Sequence, residues 1–271
     1  MCGRYASSRK PEDLVGVFEV EKWEPTETLA PDWNVAPTND VFAILERPLK
    51  DAEDPSPVRQ LRALKWGLVP SWSKSPEGAA RMINARAESL HEKPSFRRPF
   101  AQRRCVIPAD GYYEWVTGAG ERQLEEQGKK KRPRKQPYFV TPADGSVMAM
   151  AGLYEFWRDR TLPDDHPRAW WVTCTVVTTE AEKSPLAVAP ADGPRALADI
   201  HPRMPLMLTP DRWDAWLDPA RTDVDGLREL LAPPPPGLMR AYPVSTDVSN
   251  VRNNGPELLE ELAAPELGTL F

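Results

Sequence analysis

The stretch Arg104-Cys105-Val106-Ile107-Pro108-Ala109-Asp110-Gly111-Tyr112-Tyr113-Glu114-Trp115-Val116 sets two β-rich runs on either side of an Asp-Gly pair. Both runs are dense in β-branched and aromatic residues, and Gly, Pro and Asp bound them, which is the pattern of short strands. Working outward, the same signal recurs at Tyr138–Val140, Val147–Trp157, Ala169–Thr179, Val41–Leu45, Leu61–Val69 and, last, Met239–Val244. Helical signals are fewer: Pro11 to Glu19, Arg86 to His91, Ser95 to Gln102, Pro210 to Leu217 and Asp225 to Leu231. Strands and helices do not alternate as a doubly wound sheet requires. The expected fold is therefore α+β, a single mixed domain over residues 1–271 on a strongly curved, barrel-like β-sheet with peripheral helices.

Two segments interrupt this pattern. Residues 118–136 carry Glu121, Glu125 and Glu126 followed by Lys129-Lys130-Lys131-Arg132-Pro133-Arg134-Lys135, which reads as a mobile basic hairpin loop. Pro233 to Pro236 reads as a stiff polyproline-like connector.

Composition narrows the class. No run approaches the roughly 20 apolar residues of a membrane span, and the N-terminus has no cationic-apolar signal pattern. The expectation is a soluble, cytoplasmic (nucleoid-associated) monomer without a membrane partner. Three cysteines, an odd number, argue against a disulfide framework. Cys105 and Cys174 lie in apolar β-rich runs and read as buried thiols. Without a CxxC or Cys/His cluster, and with three histidines in all, no metal site is expected. From Arg81 to Arg104 there are seven Lys/Arg against two Glu, whereas Leu206 to Phe271 holds five Arg against eleven Asp/Glu. A basic middle beside an acidic C-terminal third suits a polyanion contact confined to one face.

The residue with the sharpest chemistry is Cys2. If Met1 is removed, Cys2 presents a thiol and an α-amine on neighbouring carbons, with ordinary pKa values of about 8.5 and about 7.7–8.0. Such a 1,2-aminothiol condenses with an aldehyde to an imine, and its thiol then closes a thiazolidine ring. Other stretches place polar groups among apolar ones. Met82-Ile83-Asn84-Ala85-Arg86-Ala87-Glu88 sets Asn84 and Arg86 at the start of an expected helix. In Gly111-Tyr112-Tyr113-Glu114-Trp115, strand alternation pairs Glu114 with Tyr112 on one face and Tyr113 with Trp115 on the other. A carboxyl in such surroundings has its pKa raised by desolvation, which suits proton shuttling. His201 and Arg203 stand two apart in a proline-bracketed extended segment. The Trp33–Thr38 and Trp66–Trp72 segments offer aromatic and proline surfaces that stack single-stranded bases.

Together these blocks resemble the SOS response-associated peptidase family of abasic-site processing proteins. The likeness runs through Met1–Tyr5, Trp33–Thr38, Trp66–Trp72, Ile83–Glu88, Ala109–Trp115, Gln136–Val140, Thr178–Ala181 and Ile200–Pro205, ending at Tyr242–Ser245 and Val251–Asn253. The resemblance implies a covalent trap for abasic sites in single-stranded DNA, without a cofactor. Cys2 attacks the ring-opened sugar aldehyde, Glu114 shuttles protons, His201 assists at the sugar, and Asn84 positions the N-terminus or the sugar oxygen. Arg4, Arg86 and Arg203 hold phosphates, and Asn34, Pro37, Trp66, Gly67, Trp72 and Thr178 complete the DNA path. It further implies autocatalytic release of Met1 and an accompanying lyase activity. The chain departs from the family pattern at Pro202, where an acidic residue is common, and in the lengths of Thr179–Asp199 and Gly118–Gln136.

Two other readings start from the same residues. Glutamine amidotransferases with an N-terminal cysteine also begin Met-Cys-Gly, but the Tyr-Glu-Trp and His-x-Arg motifs have no place in them. A non-catalytic single-stranded DNA-binding protein explains the arginines and tryptophans and leaves Cys2 and Glu114 idle.

Overall fold

The computed structural model describes residues 2–49, 55–117, 135–188 and 193–263. Thirteen strands are described: β1 (Tyr5–Ser7), β2 (Lys22–Trp23), β3 (Asp32–Val35), β4 (Asp40–Pro48), β5 (Pro57–Trp66), β6 (Asn84–Arg86), β7 (Arg104–Ala109), β8 (Gly111–Thr117), β9 (Lys135–Pro142), β10 (Met148–Arg158), β11 (Trp170–Glu180), β12 (Arg203–Pro205) and β13 (Met239–Pro243). Five of them form a ring. β5 pairs with β4, β4 with β7, β7 with β10 and β10 with β11. β11 then returns to β5 through Thr173↔Lys65 and Cys174↔Trp66. The barrel-like sheet expected from the sequence is this closed ladder. β13-β9-β8-β1-β3 form a second, antiparallel sheet.

The opening stretch joins the two. β7 belongs to the barrel and β8 to the second sheet, with Asp110 alone between them. The Asp110 carboxylate accepts a hydrogen bond from the Ser8 amide at 2.6 Å, which ties the end of β1 to this crossing.

Barrel strands are buried on both faces, which is why their sequences read as apolar runs rather than clean alternations. Leu45, Leu64, Trp66, Cys105, Ile107, Met150, Tyr154, Cys174 and Val176 fill one side together with Cys2 and Tyr5. Phe42, Ile44, Leu61, Val106, Ala151, Leu153 and Val177 face the other side. There they meet Leu14 from the first helix, Pro11–Val17, Phe18 that caps its end, Phe100 from Arg97–Gln102, and Trp216 and Leu217 from Pro210–Leu217. Cys105 and Cys174 are free, fully buried thiols, as their surroundings in sequence suggest.

Arg104 anchors this outer layer. Although 2% exposed, it uses all five N–H donors on carbonyls: Nε on Trp216, one terminal nitrogen on Phe100 and Ala101, the other on Asp218 and Arg221. Four of those carbonyls lie at the C-terminal ends of two helices, where backbone acceptors lack intrahelical partners, and that of Arg221 lies in the loop beyond the second.

The structure corrects several expected boundaries. The first helix stops at Val17 rather than Glu19, because Glu19 adopts a positive φ of 52°. Strand β5 ends at Trp66 rather than Val69, since Gly67 turns at φ 131°. No helix spans Arg86 to His91. Asn84–Arg86 pairs instead in parallel with Val176–Thr178, and a tight turn follows, with the Leu90 amide donating to the Arg86 carbonyl. Tertiary pairing here overrides local helical preference. Expected helices at Ser95–Gln102 and Asp225–Leu231 form at Arg97–Gln102 and Val224–Glu229, and Leu197–Ile200 adds a short one. Of the basic loop 118–136, residues 118–134 lie outside the described residues, while Lys135 and Gln136 already belong to β9. No helix among the described residues is long and apolar enough to cross a membrane.

Candidate active site

Cys2 reaches its place because β1 threads between β3 and β8. Tyr5 pairs with both Val35 and Tyr112, and the Tyr113 amide donates to the Arg4 carbonyl at 2.9 Å. Continuing that antiparallel register carries residues 2–4 toward Glu114. Cys2 is fully buried, and the Asn84 side-chain amide donates to the Cys2 carbonyl at 2.8 Å. The Sγ–H points toward the Arg4 carbonyl, 3.9 Å away. Burial, reinforced by the negative charge of Glu114, pushes the Cys2 thiol far above its ordinary range. It therefore rests as a neutral S–H.

Glu114 is 7% exposed and pairs across the ladder with Tyr138. Burial raises its carboxyl to about 7, while the positive amino terminus and Lys135 pull in the opposite direction. At neutral pH it is thus split between acid and base, the condition for a group that both donates and accepts protons. The predicted alternation on β8 holds: Tyr112 packs in the cluster containing Cys2, and Tyr113 stands 6.5 Å from Trp115 on the opposite face.

His201 follows the helix Leu197–Ile200 and opens toward β12. Its Nδ1 lies 3.0 Å from the Arg203 amide nitrogen and 3.1 Å from the Arg203 carbonyl oxygen, so the backbone of Arg203 fixes the ring's orientation. Burial lowers its pKa below the usual histidine value, and the charge of Arg203 adds to this. The Arg203 guanidinium turns to the Glu88 carboxylate, at 2.7 and 2.9 Å, and to the Thr178 carbonyl at 2.6 Å. Arg86 is exposed on β6, opposite Thr178, and makes no ion pair among the described residues.

The remaining expected residues divide into supports and surfaces. Asn34 is 2% exposed; its Oδ1 accepts from Arg4 at 2.7 Å, and its amide donates to the carbonyls of Val248, Asn250 and Asn253. Arg4 also donates to the Val248 carbonyl and lies 5.9 Å from the Trp115 ring centroid. Trp66 is fully buried, edge-on to Tyr5 at 5.0 Å, with its indole N–H on the Ile83 carbonyl. It has no face to offer a base and shapes the wall beneath Cys2 instead. A Cβ on Gly67 would come within 2.7 Å of the Ala79 carbonyl oxygen, so this turn tolerates no side chain. Thr178 is buried, Pro37 half-buried and Trp72 62% exposed. Among the described residues, no group of three or more His, Cys, Asp or Glu could hold a metal ion.

Sequence reading missed two participants, Glu88 and Tyr5. Glu88 closes Arg203, 115 positions away, and no local pattern announces that pair. The Tyr5 hydroxyl and the Asn84 Oδ1 are buried without a hydrogen-bond partner among the described residues. An orphan of this kind is visible only once the surroundings are in place.

Comparison with known proteins places this geometry in context. The sequence model of the family described as SOS response associated peptidase (SRAP) matches residues 1–251. Abasic site processing protein YoqW of Bacillus subtilis (strain 168) is 37% identical over 261 residues, covering 96% of this chain and 99% of that protein. Abasic site processing protein HMCES of Rattus norvegicus is 28% identical over 298 residues, covering 96% and 75%. A crystal structure of a Bacteroides thetaiotaomicron protein superposes with a TM-score of 0.71 at 23% identity, covering 97% of this chain and 100% of that one, a likeness of fold.

Proposed function

The chain belongs to the SOS response associated peptidase family, and on that premise we propose that it traps abasic sites in single-stranded DNA covalently through Cys2. The observation that carries the proposal is the seating of Cys2: its carbonyl is held by Asn84, beside a carboxyl whose pKa lies at about 7. The relatives named abasic site processing proteins supply the substrate class, DNA carrying an abasic site.

The chemistry runs in a fixed order. Hydrolysis of the Met1–Cys2 peptide bond frees the α-amine; until then it is an amide nitrogen without a usable lone pair. The amine adds to the C1 aldehyde of the ring-opened sugar, and the carbinolamine loses water to give an imine. Glu114 accepts the proton from the attacking amine and returns it to the departing hydroxyl. Cys2 Sγ then bonds to the imine carbon, its proton passing to the nitrogen, and the thiazolidine closes. A thiol raised by burial is a weak first nucleophile, which leaves the opening step to the amine. Neutral His201 is placed to move a proton at the sugar, and an imine beside such a base also permits β-elimination of the 3′ phosphate, a lyase activity.

Asn84 fixes the nucleophile, Arg86 and Arg4 supply positive charge for flanking phosphates, and Arg203 does so once Glu88 yields. The protein acts as a monomer and needs no cofactor. In the test, protein lacking Met1, verified by mass, is incubated with an oligonucleotide bearing one abasic site and run on a denaturing gel. A slow covalent band that vanishes in Cys2→Ala supports the reading. No band from the processed wild type overturns it, and glutamine hydrolysis instead marks an amidotransferase.

A further inference from the structure

We propose that the end of the barrel away from Cys2 binds a small phosphate-class oxyanion, inorganic phosphate or a nucleoside monophosphate, held by Arg47, Arg103 and the Tyr154 hydroxyl. The site goes beyond the DNA-trapping reading, does not depend on it and shares no residue with the Cys2 centre.

Strand alternation places these residues. On the side of the ring that holds Leu45, Leu64, Cys105 and Cys174, the barrel is filled by apolar groups. At the end that carries the connection from β4 to β5, the same alternation turns Arg47 of β4, Gln60 and Arg62 of β5, and Tyr154 and Phe156 of β10 to that side. Arg103 immediately precedes β7, and its carbonyl accepts from the Tyr154 amide at 2.9 Å. β4, β7 and β10 are consecutive in the ring. Val172, which pairs with Phe156, lies four residues along β11 from Val176, the partner of Asn84. That is about 13 Å of strand, so this mouth and the reactive one lie at opposite ends of the barrel.

Two guanidiniums converge there on one ring. The Arg47 and Arg103 guanidinium carbons lie 5.4 and 5.5 Å from the Phe156 ring centroid, and the ring quadrupole helps to hold both heads in place. Tyr154 stands edge-on to Phe156 at 5.7 Å, and burial keeps its hydroxyl a neutral donor. Carboxylates answer only part of this positive charge. Glu155 takes one terminal nitrogen of Arg103. Glu27 is closed on the Arg62 Nε, at 2.8 and 3.0 Å, and on the Ala63 amide at 3.0 Å. Arg47 makes no ion pair among the described residues, and its Nε is buried without a hydrogen-bond partner. Burial and the neighbouring charge of Arg62 both press against its positive form. A guanidinium does not escape by losing its proton, so the site lacks an acceptor rather than a charge state.

The arrangement selects the ligand. Each guanidinium offers parallel N–H donors that match two oxygens of a phosphate. A tetrahedral anion reaches two such forks and a hydroxyl at once, which a planar carboxylate does not. Bound at this mouth, it joins β4, β10 and the residue that leads into β7, three neighbours of the ring.

In the experiment the whole protein, without DNA, is titrated calorimetrically at constant ionic strength with sodium phosphate and, separately, with deoxyadenosine monophosphate. One saturable site is expected. Arg47→Met weakens it about 10- to 150-fold, the worth of a hydrogen bond to a charged group. Arg47→Lys keeps the charge but loses the fork, and it also weakens binding. Tyr154→Phe costs about 2- to 10-fold, the worth of a neutral hydrogen bond. The paired change Arg97→Ser and Arg98→Ser, at exposed cations outside the mouth, leaves the affinity unchanged. Tighter binding of the nucleotide than of phosphate assigns the site to a nucleotide, and the reverse assigns it to inorganic phosphate; either result upholds the site. Absence of saturable binding of both ligands to the wild type overturns the proposal. Full affinity in Arg47→Met, or an equal loss in the Arg97 and Arg98 variant, also overturns it, leaving diffuse surface attraction. If Arg47→Met does not fold, Arg47→Lys and Tyr154→Phe decide by the same criteria. Because no DNA is present, a missing covalent band in the trapping assay speaks against the trap and leaves this readout untouched.

Discussion

Arg104 and Glu114 stand ten residues apart in one stretch of sequence, each charged and each nearly sealed from water, yet the fold treats them in opposite ways. Arg104 spends every N–H on a carbonyl and stays charged, its pKa lowered by burial only to about 10. Around Glu114 burial outweighs the attraction of the amino terminus, and the carboxyl is raised to about 7. A buried charge that is fully hydrogen-bonded locks two helix ends to the barrel. A buried carboxyl with too little compensation titrates at the pH where chemistry is wanted.

The contrast breaks or sharpens by mutation, and the largest effect belongs to the reactive mouth. Cys2→Ala removes the covalent product entirely, while its melting temperature stays within a few degrees of wild type by calorimetry. Next, Glu114→Gln slows crosslinking by about 10²- to 10⁴-fold, the usual worth of a positioned acid–base group. It also abolishes an inflection in the pH–rate profile near 7. Glu114 carries a stability signature too. Its folded pKa of about 7 lies above the ordinary 4.5, so the folded state holds the proton more tightly. That contribution is complete below pH 4.5 and is lost as the pH rises through about 7. Chemical denaturation across this window shows wild type losing stability and Glu114→Gln staying flat; a flat wild type removes the claim of a strained carboxyl.

Third in size, Arg104→Met strands five carbonyls and costs about 3–5 kcal/mol of folding stability. Measured well below its melting point, its crosslinking rate matches wild type, which separates the structural charge from the chemical one. The smallest effect comes from Tyr5→Phe. The Tyr5 hydroxyl is buried with no hydrogen-bond partner among the described residues, so its removal stabilises the fold by up to about 1–2 kcal/mol. A loss of stability there would mean that the hydroxyl is satisfied by an ordered water.

What could be read from the sequence follows from how local each signal is. Strands β7, β8, β10 and β11 are long, apolar and punctuated, and their existence was evident within a residue or two. The helix Pro210–Leu217 matched to the residue, because proline marks its start. Asn84 and Arg86 were singled out but assigned to a helix. Three residues show no period, and only pairing with β11 settles their conformation. Trp66 was expected as a stacking surface, yet residue type alone does not say which face of β5 points inward. The opposite fates of Arg104 and Glu114 were beyond reach of any local pattern, since the carbonyls that satisfy Arg104 come from as far away as Arg221.

The three-residue strand β1 has a mechanical consequence. Under the proposed chemistry, DNA is tethered at residue 2, so any motor that drags on the strand loads the protein at its very first residues. β1 is held by a handful of ladder pairs to β3 and β8, and the pull meets them from one end, opening them in turn as a zipper opens rather than shearing them together. The barrel ring lies behind that zipper and does not include β1. Force on the adduct therefore strips the N-terminal strand while the ring stays closed, and the first casualty of a pull is the reactive mouth rather than the fold.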